Sequence, residues 1–248
     1  MGDAMPDRTI ATPSPWLTAA EMWRSTGEFA ALWLSTPLLA LAPRGDGHSV
    51  LVLPGFGAGD ASTWALRSYL VAIGYRAMTW SLGRNMGYRT LGQAEQRLRT
   101  RVEQIAQDSG SKISLIGWSL GGVMARQMAR EHPELIRQVI TLAAPFTGNP
   151  TATSVRPIYE LLSGEDFNSP DVLAAWKANR TPPPVPTTSI YSRTDGICAW
   201  QNCLEVETDL ATNVEVHGSH IGMPHNPVVF DIIANRLAGE GAARPGAF

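Results

Sequence analysis

From Ser49 to Leu237, short strand-like segments alternate with longer segments of helical periodicity. Few folds accept that rhythm. The strand candidates are the apolar run Val50-Leu51-Val52-Leu53 (stopped by Pro54-Gly55), Arg76 to Trp80, Lys112 to Ile116, Arg137 to Leu142, Pro186 to Tyr191 and Val214 to His217. Helical patterns cover Ser62 to Ile73, Leu91 to Ser109, Leu120 to His132, where Pro133 ends the helix, and Val228 to Leu237. Strands that are apolar throughout, rather than alternating, predict burial on both faces. The expectation is an α/β fold with about six mostly parallel strands and helices on both sides of the sheet. A chain of 248 residues with 44% apolar residues can bury such a core.

Two segments depart from the rhythm. Met1 to Pro15 is loose, with Pro6, Pro13 and Pro15. From Leu17 onward Met22, Trp23, Phe29, Ala30, Trp33 and Leu34 fall at three- and four-residue spacing, which predicts a helix that Pro37 ends or kinks. The plain reading packs that helix on the main domain, with Glu21, Arg24 and Glu28 on its polar face. The competing reading is a peripheral membrane contact, although the polar face lacks the Lys and Arg such helices carry. Residues 1–47 are accordingly expected to form an N-terminal extension with an amphipathic helix, and 48–248 the main domain. Within the main domain, 148–186 carries seven prolines and no convincing strand, which is the pattern of a lid or cap insertion. Short helices are expected in it near Ile158 to Leu162 and Val172 to Ala178.

Charge narrows the partners. Twenty Lys and Arg against 22 Asp and Glu give a net charge of −2, which argues against a nucleic-acid binder. Two cysteines cannot alone make a structural zinc site, and no metal or cofactor is expected. Cys198 and Cys203 could pair if the backbone brings their Cα atoms within ~7 Å; two buried thiols are the alternative. A bridge would point to an oxidising compartment. The N-terminus lacks a basic head followed at once by an apolar run. The most apolar stretch, Phe29 to Ala42, is broken by Pro37 and falls short of the ~20 residues of a membrane span. A cytoplasmic protein is expected, with membrane-peripheral placement or export without a recognisable signal as alternatives.

The chemistry is signalled by Gly117-Trp118-Ser119-Leu120-Gly121, followed by Gly122. The serine follows a predicted strand and opens a predicted helix, and a sharp strand-to-helix turn needs such small neighbours. The turn lifts the hydroxyl out of the sheet at the strand ends, where open parallel sheets bind ligands. The helix N-terminus beneath it favours developing negative charge. This segment resembles the nucleophile elbow of the α/β-hydrolase family, especially its lipases and esterases, and the resemblance covers about Ser49 to Leu237.

The resemblance implies a Ser-Asp-His triad in that chain order and an oxyanion hole after an earlier strand. Ser119 is then the nucleophile. The loop Leu53-Pro54-Gly55-Phe56-Gly57-Ala58-Gly59-Asp60 corresponds to the oxyanion loop, with Pro54 where the family often has His. The expected donors are the backbone N–H groups of Phe56 and Leu120, and backbone donors are indifferent to that replacement. The family places its histidine in the loop after the last strand, which implies His220, with His217 and His225 as alternatives. His48 and His132 are expected at the surface. Asp195, in the turn beyond Ser189-Ile190-Tyr191, is the implied acid, with Glu165 and Asp166 as remote alternatives. Phe56, Trp118, Leu120, Phe146 and Ile221 are expected to line an apolar acyl pocket.

These residues together predict a serine carboxylic-ester hydrolase that takes small-molecule esters with apolar short- to medium-chain acyl groups, lipids among the candidates. Acyl transfer, thioester hydrolysis or perhydrolysis would use the same residues. A non-catalytic binding or membrane-associated module is the reading from another class.

Overall fold

In the computed structural model, which describes residues 10–87, 91–148, 152–154, 160 and 177–239, six strands are β1 (Ser49–Leu53), β2 (Arg76–Met78), β3 (Ile113–Trp118), β4 (Ile136–Leu142), β5 (Thr187–Tyr191) and β6 (Ala211–Glu215). All pair in parallel, in the order β2-β1-β3-β4-β5-β6. The helices are α1 (Pro15–Leu39), α2 (Trp64–Ala72), α3 (Leu91–Ser109), α4 (Leu120–Glu131) and α5 (Pro227–Ala238). The α/β expectation holds. Alternate residues of β1 serve opposite sides: Leu51 and Leu53 pack with Val102, Ile105, Val123 and Met128 of α3 and α4. Val50 and Val52 pack with Leu66, Leu70, Phe230 and Ile233 of α2 and α5. A continuous apolar strand is thus the sequence of a strand covered on both faces.

Register decides what the sheet presents at its C-terminal edge. Leu53 pairs with Gly117, and Trp118 pairs with Leu142. The loop after β1 and the turn after β3 therefore leave the sheet side by side. Asn226 caps α5, its Oδ1 accepting the N–H groups of Val228 and Val229.

Three expectations need correction. β6 begins three residues earlier than the strand candidate Val214 to His217 suggests. It is an edge strand, half open on its faces, and its partner Thr187 pairs with Ala211, so polar Thr212 and Asn213 are tolerated. β2 stops at Met78 because the Trp80 N–H turns aside to the Asp60 carboxylate at 2.8 Å. Pro37 does not end α1: the helix runs two residues further, to Leu39. In the last turn a proline removes only one ladder bond near an end that is already incompletely bonded.

α1 also packs with the opposite face inward. Trp16, Trp23, Leu34 and Leu38 are exposed, while Glu21 is buried and Glu28 half-buried. The carboxylates face the protein because backbone N–H donors wait for them there, as described below. Of the expected insertion, residues 149–151, 155–159 and 161–176 lie outside the described residues, and with them most of both short helices.

Arg126 on α4 is fully buried. Its Nε and Nη2 donate to the two Glu205 oxygens at 2.6 and 2.7 Å, and its guanidinium lies 3.7 Å over the Phe146 ring. Arg126→Met strands Glu205 as an unpaired buried charge and is expected to cost about 3–5 kcal/mol in urea unfolding. A loss below about 1 kcal/mol would mean that water reaches the pair.

Candidate active site

Ser119 stands between the end of β3 and the first residue of α4, with φ 53° and ψ −123°. A non-glycine residue held there stores backbone strain that only tight surroundings maintain. The surroundings are tight: a Cβ on Gly117 would lie 2.3 Å from the Gly121 carbonyl oxygen, and one on Gly121 would lie 2.5 Å from that of Leu53. The Ser119 N–H donates to the Leu142 carbonyl at 2.8 Å, which fixes the turn to β4. Ser119 thus stands just beyond the C-terminal end of β3, at the start of α4.

The structure brings Ser119, His220 and Asp195 together. His220 Nε2 lies 2.9 Å from Ser119 Oγ, and His220 Nδ1 lies 2.6 Å from Asp195 Oδ2. Asp195 Oδ1 accepts the N–H groups of Ile197 and Cys198 at 2.8 and 2.7 Å. Each carboxylate oxygen therefore has a fixed duty. Burial alone would lower the pKa of His220, but the Asp195 charge, its hydrogen bond and the Glu21 charge outweigh it and hold the imidazole above its ordinary value. The loops carrying acid and base are tied directly, since Ser192 Oγ donates to the Gly218 carbonyl at 2.8 Å. The Trp118 indole N–H donates to the His220 carbonyl at 2.9 Å.

The loop after β1 lies against the nucleophile. A Cβ on Gly55 would come within 3.3 Å of Ser119 Cβ. Asn85, buried, braces this loop: its Nδ2 donates to the Pro54 carbonyl at 2.9 Å, its N–H to the Ala58 carbonyl at 2.9 Å, and its carbonyl accepts the Gly57 N–H at 2.7 Å. Leu120 opens α4, so its N–H has no acceptor within the helix. Asn85 carries no motif, so sequence reasoning had no handle on it. Glu21 was legible only as a polar position on a helix.

Of the five expected pocket walls, Phe56, Trp118 and Ile221 stay partly exposed near the site. Phe146 does not line an open pocket: it is fully buried beneath Arg126. The Leu120 side chain is likewise in the core. An apolar groove of about 310 Å³ runs elsewhere, between α1, α2 and α5, walled by Phe29, Trp33, Trp64, Tyr69 and Phe230.

The other histidines separate cleanly. His217 lies past the end of β6 and is exposed. His225 meets Phe29 edge-on at 5.5 Å, and burial lowers its pKa. His132 lies partly exposed, 3.4 Å from Glu134. His48 is not at the surface. It is buried, with Nδ1 on Asp46 Oδ1 and Nε2 at 2.8 Å from Ser114 Oγ, and its ring packs against Tyr75. This second Asp-His-Ser relay copies the contacts of the first. Ser114, however, is fully buried inside β3, so no carbonyl carbon can reach it. Glu165 and Asp166 lie outside the described residues.

Cys198 and Cys203 are free, buried thiols, and burial pushes both pKa values up. Among the described residues, no group of three or more His, Cys, Asp or Glu side chains could hold a metal ion, and no helix is long and apolar enough to cross a membrane.

The family model described as the alpha/beta hydrolase family matches residues 12–239. The pimeloyl-(acyl-carrier protein) methyl ester esterase of Aeromonas hydrophila is 32% identical over 100 residues, 40% of this chain and 39% of that protein. The enzyme of the same name from Salmonella heidelberg is 33% identical over 81 residues, 32% of this chain and 31% of that one. The chain thus matches less than half the length of these curated relatives. Among solved structures, a Paleococcus ferrophilus monoacylglycerol lipase superposes with TM-score 0.58 at 16% identity, over 79% of this chain and 96% of that chain. Aspergillus fumigatus lipase B gives 0.61 at 17% identity, over 82% and 55%. At these identities the likeness shows the fold.

Proposed function

Because the chain belongs to the alpha/beta hydrolase family, we propose that it is a serine carboxylic-ester hydrolase acting on apolar short- to medium-chain acyl esters. The observation that carries this reading is the unbroken contact from Ser119 Oγ through the His220 ring to Asp195 Oδ2, at 2.9 and 2.6 Å. The names of the curated relatives support an ester as the bond cleaved.

In this reading Ser119 Oγ attacks the ester carbonyl while His220 Nε2 takes the hydroxyl proton. The Phe56 and Leu120 N–H groups hold the tetrahedral oxyanion. Asp195 stabilises the imidazolium and keeps the Nδ1 proton on its own side. The intermediate collapses, the alcohol leaves with the proton from His220, and an acyl-enzyme remains. Water then attacks in the same way: His220 takes its proton, the carboxylic acid leaves, and Ser119 Oγ recovers its proton. Acyl transfer differs only in that an alcohol replaces water in the second half.

The test is turnover of p-nitrophenyl esters from acetate to palmitate, with and without a serine-directed alkyl phosphonate. Turnover with a maximum at short or medium chains, and one phosphonate adduct on Ser119 by mass spectrometry, are expected. Neither turnover nor adduct would sink the reading. Only neutral His220 can accept the serine proton, so activity is lost as pH falls through its raised pKa. The acid limb of kcat/KM is therefore expected above the ~6.5 of an ordinary histidine.

A further inference from the structure

We propose that Glu21 of α1 is a positioning residue for the triad: its carboxylate holds the acid loop and the histidine loop in register and places a fixed negative charge behind His220. The proposal rests on the esterase reading and adds a residue from outside the region that carries the motifs.

The geometry is specific. Glu21 is 2% exposed. Its Oε1 accepts the Gly196 N–H at 2.8 Å and the His220 N–H at 3.1 Å, and its Oε2 accepts the Ile221 N–H at 3.0 Å. Gly196 directly follows the acid and Ile221 directly follows the base. One side chain thus takes the backbone of both loops at the residues that set the distance between Asp195 and His220. A second carboxylate braces the same loop: Glu28 accepts from the N–H and the Oγ of Ser219, each at 2.6 Å. Arg24 completes the strap, donating from Nη1 and Nη2 to the carbonyl and Oγ1 of Thr194 at 2.6 and 2.8 Å.

The loops are shaped to receive the helix. A Cβ on Gly196 would lie 2.5 Å from the Leu17 carbonyl, and one on Gly222 would collide with the Glu28 carboxylate at 1.3 Å. Close approach of the α1 backbone therefore selects glycine at 196, while at 222 the neighbour is the end of the Glu28 side chain. This also accounts for the inverted packing of α1, whose polar residues are the ones with partners to reach.

The charged and titratable groups around this point come from three elements. α1 supplies Glu21, Glu28 and Arg24, the last with Nη1 at 3.8 Å from Glu21 Oε1. The acid loop supplies Asp195 and the buried Cys198 thiol, and the histidine loop supplies His220 itself. Of these, Asp195 and Glu21 both favour the His220 imidazolium. Glu21→Gln removes the charge. It also turns an amide nitrogen toward at least one backbone N–H, so at least one of the three N–H groups loses its acceptor.

Two measurements test this. In Glu21→Gln, the ring titration of His220, followed by NMR, and the acid limb of kcat/KM are expected to move down by about 0.5–1 in pH. kcat is expected to fall about tenfold to a hundredfold, with KM little changed. Glu21→Asp, which keeps the charge but shortens the reach, is expected to lose turnover while its limb stays near that of the wild type. A His220 titration in Glu21→Gln at the wild-type pH, with kcat within twofold, overturns the proposal. Failure of both variants to fold overturns it too, assigning Glu21 to stability alone. The NMR readout needs no substrate, so absence of ester turnover in the wild type would count against the esterase reading and leave this one to stand or fall by the ring titration.

Discussion

Ser119→Ala is expected to lower kcat on p-nitrophenyl esters by about 10⁴–10⁶-fold, with the thermal midpoint nearly unchanged. The loss corresponds to about 5.5–8 kcal/mol of transition-state stabilisation. In the proposed mechanism it is large because the hydroxyl, 2.9 Å from His220 Nε2, supplies the oxygen of the covalent acyl-enzyme, and alanine offers none. The fold should tolerate the change, since the strained backbone at φ 53° is imposed by Gly117, Gly121 and the Leu142 carbonyl rather than by the hydroxyl. The same variant should form no phosphonate adduct. Retention of turnover within tenfold would mean that another nucleophile works. Ser114 is excluded by burial, so a serine outside the motif would then be sought.

Asp195→Asn is expected to lower kcat/KM by about 10⁴-fold at neutral pH, close to the effect of removing the nucleophile. The arrangement of hydrogen bonds dictates why. The N–H groups of Ile197 and Cys198 hold one side-chain oxygen, so the asparagine oxygen stays with them. Its NH₂ then faces His220 Nδ1, where the carboxylate oxygen stood at 2.6 Å. An N–H donor there forces Nδ1 to accept, which moves the ring proton to Nε2. The imidazole then presents a proton to Ser119 instead of a lone pair. The kinetic loss should therefore come with a changed imidazole tautomer, visible in ring nitrogen chemical shifts, and with little change in stability. Activity within tenfold of wild type, or an unchanged tautomer, would remove Asp195 from its assigned role.

Much of this site is legible in the chain because its parts are local. Gly117, Ser119 and Gly121 fall within one turn, and the steric demand of that turn is written in the residues that make it. Asp195 and His220 follow the ends of successive strands, β5 and β6, where the α/β-hydrolase resemblance places the acid and the base. The strands themselves are legible where both faces are covered, as in β1 and β5, whose residues are all buried. β6 was misplaced because an edge strand is partly open and does not need an apolar run.

The rest depended on contacts between residues far apart in the chain. Periodicity identified α1 as a helix and fixed its faces relative to each other. Its apolar face suggested the packing side, yet Glu21 and Glu28 turned inward because unpaired N–H groups of loops nearly 200 positions away needed acceptors. His48, before the first strand, was expected at the surface but is buried against Asp46, Tyr75 and Ser114. Phe146 looked like a pocket wall and became the floor under Arg126. The sequence by itself therefore determined the parallel α/β sheet and the tight turn at Ser119, because hydrophobic periodicity and turn sterics are short-range, while the order of the three polar residues came from the family resemblance. Only the tertiary structure decided which face of α1 is buried, which histidine meets the serine in the open, and what holds the two loops together. Those outcomes turn on hydrogen-bond satisfaction between distant segments, which no local pattern encodes.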